Sequence, residues 1–119
     1  MVILGIDSSS PQSSVALLKN GRVLDQAEII KNSIHSNQVL GLVDKVLRKS
    51  KTGLENVDGF CLTIGPGSFT GVRLGISAAK GLGMPHKINI LGFNNMDILI
   101  KSVDSNIKGK KLVAIIKSK

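Results

Sequence analysis

Residues 65–75, Gly-Pro-Gly-Ser-Phe-Thr-Gly-Val-Arg-Leu-Gly, narrow what this chain can become more than any other stretch. They follow a continuous apolar run, Phe60-Cys61-Leu62-Thr63-Ile64, and lead into a helical pattern that continues to Leu82. Strand, glycine turn, helix is the order by which α/β proteins aim a helix N-terminus. Gly65 and Gly67 can take positive φ, Pro66 stiffens the turn, and Ser68 or Thr70 can cap the helix. Within the helix Gly71, Gly75, Ala79 and Gly83 recur at every fourth position, so one face is nearly bare. A helical glycine costs about 1 kcal/mol against alanine, so the bare face needs a close neighbour to compensate. That neighbour is either the chain's own sheet or another subunit's helix. A phosphate at the helix N-terminus is a third reading, weakened because the GxxxxGK[ST] spacing is absent.

Composition bounds the rest. At 119 residues, 42% of them apolar, the chain has room for one globular domain with a proper core. Its net charge of +8 favours polyanions at long range. The charge is not one patch: Lys45, Arg48, Lys49 and Lys51 end a helical pattern, while Lys101, Lys108, Lys110, Lys111, Lys117 and Lys119 spread over the C-terminal third. Basic residues late in a helix offset its dipole, which is reason enough for the first cluster. With no Trp or Tyr, and with Phe60, Phe69 and Phe93 in or beside apolar segments, base stacking has few platforms. The single cysteine, Cys61, reads as a buried small hydrophobe and suits a reducing compartment. No run approaches the roughly 18 uninterrupted apolar residues of a membrane helix, so a cytoplasmic protein with no membrane partner is expected.

Periodicity places the elements. Met1–Ile6 reads as a strand ending at the turn Asp7-Ser8-Ser9-Ser10-Pro11, and Ser14–Leu18 as a second strand. Asn20-Gly21 signals a hairpin, with Arg22–Ile30 returning as the third strand. His35–Arg48 is an amphipathic helix with an apolar stripe through Val39, Leu40, Val43, Val46 and Leu47, capped by Ser33 or Ser36. Val57–Ile64 is a buried parallel strand, Ile88–Leu91 a fifth strand, Met96–Val103 a short helix and Leu112–Ile116 a last strand. The order predicts an α/β fold, a mixed sheet covered by helices.

The glycine-rich stretch, followed by Ala79-Lys80-Gly81-Leu82, closely resembles the signature of the bacterial TsaB (YeaZ) family. The opening Ile3-Leu4-Gly5-Ile6-Asp7-Ser8-Ser9 and the His35-Ser36 pair before a helix fit the same family in the same order. The resemblance implies a single lobe of the actin/Hsp70/sugar-kinase superfamily over residues 1–116. Its sheet would have five strands, the first three antiparallel and the first, fourth and fifth parallel. Such folds carry two lobes with a cleft between them, so residues 117–119 are expected as a tail and the second lobe as missing. The resemblance also implies a non-catalytic subunit in threonylcarbamoyladenosine formation in tRNA. It would pair with a TsaD-type subunit and work with a TsaE-type ATPase. It would form a homodimer when alone and reach tRNA only through the complex.

Asp7, Ser8 and Ser9 sit where kinase-like relatives place a phosphate-facing hairpin, since a carboxylate and a serine turn suit metal-bound phosphate. The family likeness implies that this nucleotide site is degraded, leaving ATP or ADP only at an assembly-level site and no cofactor or metal on this chain. TsaD-like relatives carry Asn-His-Met-Glu-Ala-His after the corresponding fifth strand. Here the stretch is Asn94-Asn95-Met96-Asp97-Ile98-Leu99, with Asn95 and Leu99 in place of both histidines. Without imidazoles one turn apart no two-histidine site can form there. The remaining histidines, His35 and His86, have no spacing that pairs them. The likeness implies that the first two helices form the partner contact, with Val39 and Val43 of the first and Gly71, Val72, Gly75, Ile76 and Ala79 of the second expected there, and a small-residue groove that admits another helix agrees. The alternatives are a degenerate ATP-binding, phosphotransferase-like lobe and a glycoprotease-like metallopeptidase homologue.

Overall fold

The structure, a computed structural model, describes residues 1–30, 36–103, 111 and 113–116. Three strands open the chain: β1 (Val2–Asp7), β2 (Gln12–Lys19) and β3 (Arg22–Ile30). Helix α1 (Ser36–Lys49) leads to β4 (Gly59–Thr63), α2 (Phe69–Gly83), β5 (Asn89–Phe93) and α3 (Asn95–Ser102). The sheet order is β3-β2-β1-β4-β5, with β1–β3 antiparallel and β1, β4 and β5 parallel. The expected five-stranded lobe is thus present. Ser33 and His35 lie outside the described residues, as does the 117–119 tail.

Local chemistry accounts for the turns. Asn20 at φ 51° and Gly21 at φ 78° give β2 and β3 the mirror-image hairpin turn whose twist matches that of the strands. Met1 closes over it, its ammonium donating to Asn20 Oδ1 at 2.7 Å. After β5, Asn94 caps α3 by accepting from the Met96 amide at 2.8 Å.

Register sorts the strands into two faces. Leu4 pairs with Leu17 and Phe60, and Ile6 with Val15 and Leu62; all six are buried. Both long helices cover this face. Val39, Leu42, Val43 and Val46 of α1 and Ala79 of α2 join the same core, and the helices also touch each other. A fully buried aliphatic or phenyl side chain contributes about 1.5–3 kcal/mol, so this one layer carries most of the stability. The far face, with Ile3, Gly5, Ala16, Leu18 and Cys61, is only half-buried.

Two expectations need correction. Val113–Ile116 pairs with no described strand, so the predicted last strand is absent over those residues. The bare face of α2 turns inward: Gly71, Gly75, Ala79 and Gly83 are buried. A β-carbon at Gly75 would meet Ser8 Oγ and Ile6, and one at Gly83 would meet Phe60 and Ile88. The close neighbour is the chain's own sheet. Val39 and Val43 are core residues as well, so of the seven residues expected at an interface, only the half-buried Val72 and Ile76 are not fully enclosed.

The basic end of α1 is partly neutralised. Arg48 Nε pairs with Asp44 at 2.7 Å one turn back, and Lys49 Nζ reaches Asp25 Oδ1 of β3 at 3.2 Å. The second contact ties the end of α1 to the edge of the sheet.

Candidate functional site

The C-terminal ends of β1 and β4 meet the glycine turn and the start of α3, and a cleft of about 240 Å³ opens between them. Asp7, Ser9, Ser10, Thr63, Pro66 and Asn95 form its polar side, and Ile98, Leu99 and Ile116 its apolar side. Crevices beyond the carboxyl ends of parallel strands are where open α/β sheets take ligands.

Asp7 organises the cleft. Its Oδ1 accepts from the Ser9 amide at 2.9 Å, from Ser9 Oγ at 2.7 Å and from Thr63 Oγ1 at 2.7 Å. The carboxylate thereby fixes the turn after β1 and ties it to the end of β4. Ser10 Oγ donates to the Gln12 carbonyl at 2.9 Å. The serine turn spends its donors on the protein itself, which leaves few for a phosphate.

Ser8 does not belong to the cleft, a third correction. It is buried beneath α2, where its Oγ donates to the Gly71 carbonyl at 2.7 Å. Alternation along β1 explains this: Ser8 follows Leu4 and Ile6 on the helix-covered face, whereas Asp7 points to the other.

The glycine turn is held from both sides. Gly65 takes φ 100°, a conformation closed to most side chains. The Ser68 amide donates to the Ser9 carbonyl at 2.6 Å, and a β-carbon on Gly67 would strike that same carbonyl. Ser68 Oγ then accepts from the Gly71 amide at 3.1 Å, so Ser68 is the helix cap.

Asn95 joins the three segments. Its amide donates to the Gly65 carbonyl at 2.9 Å, and its Nδ2 donates to Ser9 Oγ at 2.7 Å and to the Pro66 carbonyl at 3.0 Å. Its Oδ1 is buried without a partner. Asn95 is therefore a latch between loops, and Leu99 adds apolar wall. Among the described residues no three His, Cys, Asp or Glu side chains are placed to hold a metal. His86 is exposed in the 3-10 turn Met84–His86 after α2 and does not line the cleft.

The outer face of α2 carries a feature that the sequence reading missed. Phe69 is 70% exposed, and the Arg73 guanidinium lies 4.0 Å from its ring centroid. The two stand one turn apart, the spacing that brings helix side chains together. Cys61 lies on the far face of β4, and burial pushes its thiol pKa up. No described helix is long and apolar enough to cross a membrane.

Comparison with known proteins agrees with this geometry. The family model described as TsaD, tRNA N6-adenosine threonylcarbamoyltransferase, matches residues 28–117. The tRNA threonylcarbamoyladenosine biosynthesis protein TsaB of Haemophilus influenzae is 31% identical over 116 residues, 98% of this chain and 49% of that protein. TsaB of Escherichia coli is 35% identical over 96 residues, 81% of this chain and 41% of that protein. Among solved structures, YeaZ from Pseudomonas aeruginosa matches with a TM-score of 0.78 and 31% identity, covering 84% of this chain and 46% of that one. RuvC from Thermus thermophilus, at a TM-score of 0.51 and 14% identity, shares the fold alone. The chain spans about half the length of the curated relatives it matches. Motif, topology and these likenesses converge: the chain belongs to the TsaB (YeaZ) family.

Proposed function

We propose that this chain serves threonylcarbamoyladenosine formation in tRNA as a non-catalytic subunit that pairs with a TsaD-type transferase. The observation that carries the reading is Asn95. Where a metal-binding imidazole would act in the transferase relatives, an amide side chain instead ties Ser9 to Pro66. A cleft whose side-chain donors from Ser9, Thr63 and Asn95 are spent on the protein's own oxygens supports holding a shape more than making or breaking bonds.

Pairing falls to the outer faces of α1 and α2, whose inner faces are committed to the core. Phe69 and Arg73 offer an exposed aromatic with a cation stacked on it, the residue types that dominate interface energetics. Val72 and Ile76 flank them on the same helix, and Leu40 adds apolar area on α1. ATP or ADP, a TsaE-type ATPase and tRNA act at the level of the assembly in the cytoplasm, and this lobe needs no cofactor of its own.

Calorimetric titration against a TsaD-type subunit tests the reading. Binding by the wild type, weakened at least about tenfold by Phe69→Ser or Arg73→Glu with unchanged melting, supports it. Unaltered affinity in both variants refutes the surface, and absence of binding by the wild type refutes the pairing. Micromolar ATP binding or turnover by the chain alone favours a nucleotide-using lobe instead.

A further inference from the structure

The two ends of the sheet differ in charge. At the cleft end stand Asp7, Glu28, which is level with Asp7 through Ser14, and Asp97 in the first turn of α3. No lysine or arginine lines the cleft. The opposite end is where β1, β4 and β5 begin. Lys19 and Arg22 pair across the β2–β3 turn there, level with Val2. The Val2 carbonyl accepts from the Asp58 amide ahead of β4, and the Gly83 carbonyl from the Ile88 amide ahead of β5. Helix α1 reaches the same end through the 3-10 turn Leu54–Asn56. Lys51 follows α1, Lys80 lies in the last turn of α2, and Lys87 closes the turn Met84–His86.

These five cations, Lys19, Arg22, Lys51, Lys80 and Lys87, are exposed and form no ion pair among the described residues. Asp25 and Asp44 already hold Lys49 and Arg48, which leaves Glu55 and Asp58 as counter-charges. The C-termini of two helices add about one negative charge between them, so offsetting the dipoles does not use up the surplus. Lys51 and Lys87 also both hold φ 54°, the left-handed region where glycine is the usual residue to end a helix. Strain kept at two exposed positions that carry an ammonium points to a use for the charge.

We propose that this basic end binds the phosphate backbone of double-helical RNA directly, where the family resemblance implies contact only through the complex. Five strands about 4.8 Å apart make the rim about 19 Å wide, room for several phosphates along a duplex. The chain has no Trp or Tyr, Phe60 is in the core, and Phe69 and Phe93 stand at the cleft end. The basic end thus has no aromatic platform for bases and no aromatic anchor for lipid, and it reads charge. RNA is the nucleic acid that the names of the relatives carry. The inference does not rest on pairing with a TsaD-type subunit, whose proposed contacts Phe69 and Arg73 stand at the other end of α2.

Anisotropy of a labelled RNA duplex, titrated with the full chain at rising salt, tests this. The wild type should bind at low salt, with log affinity falling against log salt at a slope of about −4. The double variant Lys51→Gly with Lys87→Gly places glycine where φ is positive, so it should melt no lower than the wild type. Its affinity should fall at least about tenfold and its slope flatten by about two. Adding Glu28→Lys at the cleft end restores the net charge of +8 without restoring affinity. No binding at low salt, a double variant that binds like the wild type, or recovery with Glu28→Lys overturns the proposal. So does tighter binding to a DNA duplex of the same length or to phosphatidylserine vesicles.

Discussion

Ser8 Oγ fills the space that a side chain on Gly75 would enter: a β-carbon there would lie 2.5 Å from the hydroxyl oxygen. The same hydroxyl donates to the Gly71 carbonyl at 2.7 Å, in the preceding turn of the helix. The glycine repeat of α2 is therefore a seat for the end of β1, joining residues 63 positions apart. An enlarged side chain at Gly75 should act on folding first. Gly75→Leu is expected to cost about 3 kcal/mol or more by overpacking, read as a lower urea midpoint. Gly75→Ala gains about 1 kcal/mol of helix propensity but displaces Ser8. In a Ser8→Ala background that obstacle is gone, so the alanine should then stabilise. Identical effects in both backgrounds would refute the coupling.

Ser13 presents the opposite case. It is 2% exposed on the helix-covered face of β2, and its Oγ has no hydrogen-bond partner. Burying a hydroxyl unpaired is unfavourable, and no bond is lost by removing it. Ser13→Ala should raise stability by about 1 kcal/mol in chemical denaturation. A loss of stability would mean that the hydroxyl is satisfied in solution.

Asn95 needs both its donor and its size. Asn95→Ala removes the bonds to Ser9 and Pro66 and should loosen α3 by about 1–2 kcal/mol, seen as faster amide exchange across Asn95–Ser102. Asn95→Asp keeps the shape but aims a carboxylate at the Pro66 carbonyl, and should be the worse of the two. Equal exchange in wild type and both variants would remove the latch.

Cys61 gives a pH dependence of definite sign. Burial raises its pKa in the folded chain, so the unfolded chain loses its proton first. The thiol's contribution to stability is complete below its unfolded pKa and declines as pH rises from there through the raised folded value. Alkylation of the native protein should need a higher pH than alkylation of the urea-unfolded chain. Equal profiles would refute the shift.

Much of the lobe was legible because its signals are local. Apolar runs marked the strands, Asn20-Gly21 the hairpin, and Ser68 the helix cap, all within a few residues of the feature they create. The sequence also established that the bare face of α2 needs a close neighbour, but not which one. Ser8, Ile6, Phe60 and Ile88 reach it only through the fold. Val39 and Val43 were misplaced for the same reason, since an amphipathic stripe does not say whether its own sheet or a partner covers it. Leu112–Ile116 read as a strand from its β-branched residues, yet strand structure needs a neighbouring ladder, and Val113–Ile116 has none within the described chain. In the cleft, Asp7 and Ser9 were found as residues, but their bonds to Thr63 and Asn95 depend on segments distant in sequence. Phe69 was hidden by its setting, because an aromatic at the start of an apolar helix looks like core until that helix is docked.

With both long helices on one side of the sheet, the chain's sole thiol stands on the opposite side, in the middle strands. Tryptophan and tyrosine are absent, so a dye or nitroxide attached to Cys61 would report against a nearly silent optical background. The molecule thus carries one chemical address on the side away from its two long helices, and events on their side can be followed from there without marking it.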